Sequence, residues 1–180
     1  MQKRTKYKLI LLITFLLLAI ASSTAYLACS ISDTKLDTSI HIDKIVVEKS
    51  KRKMYLYANN QLIKTYKIAL GKHPRGGKKY EGDKKTPEGL YIINSKNPKS
   101  EYYKNLGISY PNKKDKEEAE KDGKNPGGDI KIHGLKNGWG WIGQMHLLTD
   151  WTAGCIAITN KNMDELYAII EIGTPIEIKP

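Results

Sequence analysis

The chain has 180 residues but only two cysteines, Cys29 and Cys155, and one phenylalanine against eleven tyrosines. Cys29 closes an N-terminal apolar segment, so once a leader is removed Cys155 is the last thiol, and it cannot form half of an internal disulfide. Also missing are cysteines two residues apart and histidines four apart, the spacings that preorganise zinc. The mixed set His133, His146, Asp150 and Cys155 is therefore a poor rival as a metal site, and no metal or cofactor is expected. There is no internal repeat, no helix-turn-helix pattern and no basic run interleaved with aromatics. Nucleic acid is thus the poorest candidate partner, despite a formal net charge of +11.

Lys3, Arg4, Lys6 and Lys8 precede an apolar run from Leu9 to Ala21, the arrangement of a secretory signal. Residues 1–28 are read as a signal peptide or an N-terminal membrane anchor, and 29–42 as a linker. Leu9 to Ala28 covers 20 residues, about a bilayer's length, although Ser22, Ser23 and Thr24 weaken it. Cleavage after Ala21 and retention as an anchor are both favoured over lipidation at Cys29, because Tyr26 stands where a bulky aliphatic residue is expected. The protein is expected on the extracytoplasmic side of a bacterial envelope. The four leader cations leave +7 on the remainder, a basic surface suited to anionic polymer or lipid.

Beyond the leader, Ile45 and Val47, then Met54 and Leu56, then Leu62, Ile63, Tyr66 and Ile68 mark strands, with Asn59-Asn60 as a hairpin turn. Residues 71–85 form a polar, basic surface loop facing a cleft. Leu90 to Ile93 read as a buried strand. Asn94 to Gly128 read as a long irregular insertion whose Asn112–Gly123 segment is a polar helix serving as a solvent-facing lid. Gly138 to Gly143 read as a flexible aromatic loop. Met163, Leu166, Tyr167 and Ile170 recur at helical spacing before Gly173, and Pro175 to Ile178 alternate as a closing strand. The expected fold is mainly β, sandwich-like or barrel-like, with one or two short helices and the long insertion.

The chemistry concentrates between His133 and Asn160. Gly154 puts no Cβ beside the Cys155 sulfur and lets backbone N–H groups approach a carbonyl, while Ile156 and Ile158 alternate as inward residues of a strand that would mount the cysteine rigidly. A cysteine with an ordinary pKa of about 8.5 needs an imidazole to ionise near neutrality, and His133 ends the apolar strand before it. His133-Gly134 and, 22 positions after the histidine, Thr152-Ala153-Gly154-Cys155-Ile156 together resemble the L,D-transpeptidase catalytic domain, the cysteine enzymes of bacterial peptidoglycan. The resemblance runs through Leu70-Gly71, Gly82-Asp83, Thr86 to Gly89 and Gly173 to Ile176, over roughly 43–179. Many members carry histidine before the Gly-Cys pair and a polar or basic residue two after the cysteine. Here Ala153 and Ala157 stand at those places, and Trp151 and Asn160 fit a branch with a Trp-Thr-x-Gly-Cys-Ile-Ala-x-Thr-Asn string.

The resemblance implies that Cys155 is a nucleophile and His133 its general base and acid, acting on tetrapeptide stems through a thioester, with Gly154, Gly134, Thr152, Trp151 and His146 as oxyanion or substrate-binding residues. The Gly154 and Cys155 amides are the expected oxyanion donors. Asp150 and Thr152 are expected to orient backbone, and His41 and His73 to lie on the surface. Resolution of the thioester by a stem amine gives a 3→3 crosslink, and by an envelope protein gives attachment. Water gives carboxypeptidase or endopeptidase activity. A monomer is expected. A rival of another class is a non-catalytic wall-binding module. Iodoacetamide separates the two: alkylation of Cys155 should abolish turnover of tetrapeptide muropeptides, whereas wall binding that survives alkylation with no turnover to lose would favour the module.

Overall fold

Alternation of apolar and polar residues, with tight turns between runs, produces eight strands in the computed structural model, which describes residues 12–16, 36–37 and 39–180. They are β1 (Lys44–Glu48), β2 (Lys53–Ala58), β3 (Gln61–Lys67), β4 (Gly89–Ser100), β5 (Tyr103–Ile108), β6 (Lys131–His133), β7 (Ile156–Ala157) and β8 (Pro175–Lys179). Two compact units are present, Met1–Leu36 and Asp37–Pro180. In the first, residues 12–16 are helical, and the rest of the expected leader lies outside the described residues, as does most of the expected linker. Among the described residues no helix is long and apolar enough to cross a membrane.

In β2, Met54, Leu56 and Ala58 turn inward while the intervening tyrosines do not, the period of two that the sequence shows. Asn59 and Asn60 both adopt positive φ, 50° and 61°, which matches the right-handed twist of the flanking strands, and they join β2 to β3. The sheet order is β3-β2-β1-β8-β4-β5-β6-β7. The last strand in sequence thus lies mid-sheet, parallel to β1 and antiparallel to the first half of β4. The chain leaving β3 then reaches the far edge. Ala69 exchanges both backbone hydrogen bonds with Ala157, at 2.9 and 2.8 Å, and bonds from Thr152 to Leu70 and from Lys72 to Thr152 continue the contact. This closes the mainly β architecture around Ile45, Val47, Met54, Leu56, Ile68, Ile93, Ile132 and Ile156, all fully buried.

Two helices complete it. α1 (Lys113–Lys121) starts at a reciprocal cap, in which Asn112 accepts from the Asp115 amide and Asp115 accepts from the Asn112 amide. α2 (Asn160–Ile169) is capped by Thr159 and buries Met163, Leu166 and Ile169.

Three expectations change. Residues 94–128 are not an irregular insertion: β4 runs on to Ser100 and pairs with β5 as a hairpin, which Pro98 and the polar outward residues disguised. Leu90 and Ile92 are 71% and 45% exposed because β4 is covered on one face only, where Tyr91 and Ile93 point inward. The polar helix forms, but it docks through Asp115 onto the Tyr91 hydroxyl at 3.1 Å, and none of its residues lines the main cleft.

A buried lysine that no sequence pattern signals ties the 71–88 loop to this frame. Lys49 is 1% exposed, and its ammonium donates to the carbonyls of Gly76 (2.7 Å) and Thr86 (3.0 Å) and to the Glu88 carboxylate (2.7 Å). Its three donors are all used, which lets the charge stay buried although burial lowers its pKa. Removing it strands those acceptors, so Lys49→Ala should lower unfolding free energy by about 3 kcal/mol in urea titrations. A loss under about 0.5 kcal/mol would show the tie to be dispensable.

Candidate active site

Cys155 immediately precedes β7 and His133 ends β6, and the two strands are parallel with Ile132 beside Ile156 and His133 beside Ala157. Alternation then puts Cys155 and His133 on one face, separated by two residues along the strand and one strand across, roughly 8 Å between Cα atoms. Both line a cleft of about 910 Å³, with Trp151, Thr152, Tyr102 and Asn105.

The turn carrying the cysteine is held by Thr152, whose buried hydroxyl donates to the Cys155 carbonyl (2.7 Å) and accepts from the Gly154 amide (3.1 Å). Gly154 has φ of 135°, and a Cβ there would lie 2.6 Å from the Lys85 carbonyl oxygen, so only glycine fits. Because its N–H is taken by Thr152, Gly154 is not the oxyanion donor that the sequence suggested; the Cys155 amide remains the candidate. Asp150 orients backbone as expected, accepting from the Leu70 amide (2.9 Å) and from Arg52 (2.7 and 3.1 Å).

His133 is 6% exposed, and its Nδ1 donates to the Gly134 carbonyl at 2.7 Å, which puts the ring's lone pair on Nε2. Its ring packs against Tyr102, at 4.8 Å between centroids, and edge-on to Trp151 at 5.7 Å. Gly134 in turn is pinned. Its amide donates to the Tyr102 carbonyl at 3.1 Å, and a Cβ would lie 2.6 Å from Asn160 Oδ1, the atom that accepts from the Leu135 amide. Tyr102 escaped the sequence reading because it sits in the stretch taken for irregular insertion, and only the β4–β5 pairing carries it over β6. Asn160, noted only as a motif match, is a positioning residue.

His146 does not line the cleft. It sits beyond Trp151, whose indole N–H donates to its Nδ1 at 3.3 Å, and it lines a smaller apolar cavity of about 430 Å³ with Leu135, Trp139, Ile142 and Met145. Burial and the charge of His133 push its pKa down to about 4. The expected aromatic loop is ordered as two short 3-10 pieces merged over Gly140–Leu148 with a break at Gly143, and Trp141 is 79% exposed. His73 and His41 are exposed as expected. The four groups of the metal rival are not brought together: among the described residues no cluster of three or more His, Cys, Asp or Glu could hold an ion.

A match to the L,D-transpeptidase catalytic domain model extends over residues 42–178. The chain belongs to that family. The chain is 28% identical over 160 residues to YafK of Escherichia coli (strain K12), a protein provisionally named an L,D-transpeptidase, covering 86% of this chain and 56% of YafK. It is also similar to the helical cell shape determining protein Pgp2 from Campylobacter jejuni, with 26% identity, a TM-score of 0.59 and coverage of 84% of this chain and 54% of that one. Bd1075 of Bdellovibrio bacteriovorus gives 26% identity, a TM-score of 0.54 and coverage of 82% and 50%. The chain spans about half the length of these relatives.

Within the L,D-transpeptidase domain, burial sets the protonation of the pair. It pushes the Cys155 thiol up, against the nearby Lys131 amide, and lowers the His133 imidazole despite the Gly134 bond. Both shifts run toward the neutral forms, the opposite direction from the ionised sulfur expected from sequence. The Cys155 thiol instead donates to the Asp129 carbonyl at 3.6 Å. With the thiol pushed up by burial, the thiolate fraction at pH 7 is smaller than that of a free cysteine and grows as pH rises. Iodoacetamide alkylation of the resting protein should therefore climb steadily from pH 7 to pH 9 with no plateau, followed by mass spectrometry; a rate already saturated at pH 7 would mean a preformed thiolate.

Proposed function

We propose that this domain is a peptidoglycan L,D-transpeptidase that works through a Cys155 thioester. The observation that carries the reading is the placement of Cys155 and His133 on one face of adjacent parallel strands inside the cleft. The substrate is a tetrapeptide stem whose third residue, meso-diaminopimelate, is joined to a terminal D-alanine. The Cys155 sulfur bonds to the carbonyl carbon of the third residue while its proton passes to His133 Nε2. The oxyanion is met by the Cys155 amide. Collapse breaks the C–N bond, His133 returns the proton to the departing D-alanine amine, and the acyl group stays on sulfur.

The thioester then waits for an acceptor. His133 deprotonates it, whether it is a neighbouring stem amine, an amine of an envelope protein, or water. Neutral resting forms suit this cycle, since the proton moves only when a carbonyl is in reach, and an unengaged thiol resists oxidation and stray alkylation. The basic n-region and apolar run at the N-terminus support a reaction outside the cytoplasmic membrane. The similarity to Pgp2, a cell shape determining protein, supports wall remodelling as the setting.

Purified protein incubated with defined tetrapeptide muropeptides should form an adduct at Cys155 of the stem minus D-alanine, seen by intact mass, and product masses then separate crosslinking from trimming. Cys155→Ser should keep the melting temperature and lose turnover, and His133→Ala should slow acylation by about 10²–10⁴-fold. Wild-type turnover by Cys155→Ser would refute the assignment.

A further inference from the structure

The cleft is lined by five lysines, and two of them are committed: Lys78 pairs with Asp83 at 2.9 Å and Lys131 with Asp129 at 2.7 Å. Lys72, Lys84 and Lys99 have no carboxylate partner among the described residues. Two of these three are held directly against the nucleophile turn. The Lys72 amide donates to the Thr152 carbonyl at 3.0 Å, and the Lys84 carbonyl packs over Gly71, whose missing Cβ would also lie 3.1 Å from Gly154 Cα. Both lysines line the same cleft as Cys155.

Lys84 also stands in an unfavourable backbone state. Its φ is +57°, a conformation that glycine adopts without strain and a lysine does not. A side chain retained there at a cost in stability, and lining the cleft, points to a use for the charge. The position two after the cysteine offers no charge, since Ala157 is fully buried and paired through its backbone to Ala69.

Building on the acyl-transfer reading, we propose that Lys84, assisted by Lys72, is the specificity-determining contact for a free carboxylate flanking the scissile bond of the stem peptide. Two carboxylates qualify by chemistry, that of the terminal D-alanine and that of the third residue's side chain. The loop that carries both lysines is fixed by Lys49 and Asp83, so the contact selects stems with an unmodified acid.

The test compares three tetrapeptide substrates: the free acid, the C-terminal amide, and the amide of the third residue's side-chain carboxylate. Wild-type protein should disfavour one of the two amides by tenfold or more in KM, and which one identifies the carboxylate bound. In Lys84→Gly the KM for the free acid should rise to that of the disfavoured amide, with kcat changed by less than about threefold. The melting temperature of Lys84→Gly should hold or rise, because the strained φ is relieved, so a raised KM cannot come from lost folding. Lys72→Ala should show a smaller loss in the same direction. Full acid preference in Lys84→Gly, or equal use of all three substrates by the wild type, overturns the contact while leaving acyl transfer standing. No turnover of any of them by the wild type defeats the acyl-transfer reading and this contact with it.

Discussion

Three backbone segments cross within van der Waals contact beneath the cysteine. Gly71 meets the Lys84 carbonyl and Gly154, Gly154 meets the Lys85 carbonyl, and Ala69 is paired to Ala157. Two glycines permit this approach, because a Cβ at either position would overlap backbone that cannot yield. The crossing closes the sheet, joining the chain after β3 to the far edge strand, and it also sets where the nucleophile turn stands relative to the basic loop. Architecture and site share one constraint.

Around that crossing, buried charge is used to hold loops rather than to do chemistry. Lys49 ties residues 76–88 to the end of β1, Arg52 and Asp150 fasten the approach to the cysteine, and Asp83 gathers the amides of Lys79, Tyr80 and Lys85 with the Lys78 ammonium. Lys49 uses all three of its donors, the condition under which a buried ion is tolerable. The reacting pair is treated in the opposite way. Burial favours the uncharged forms of Cys155 and His133, and the His133 ring packs against both Tyr102 and Trp151. Pinning of Nδ1 by Gly134 keeps the base in one tautomer throughout.

Much of this was legible locally. The strands β1, β2 and β3, the Asn59-Asn60 turn, α2 and the closing strand follow from period and turn chemistry in short windows. Cys155 and His133 stood out because a lone thiol beside a glycine, with a histidine at a strand end, has few structural explanations. Tyr102 had no such signal. Its importance comes from the pairing of β4 with β5, a hairpin whose polar outward residues and proline hide the alternation. His146, outside the motif but close to the cysteine in sequence, lies behind Trp151, because a chain interval of nine residues does not specify the side of an indole.

The motif residues around His133 and Cys155 carried the family resemblance, and period and turn chemistry carried the mainly β character, since both are short-range patterns that survive without knowledge of contacts. Only tertiary structure decided which amide is spent on Thr152, which lysines remain uncommitted at the cleft, and how the pair is protonated at rest. Those properties are set by burial and by partners distant along the chain, such as Lys85 over Gly154 and Tyr102 over His133, and no local window contains them.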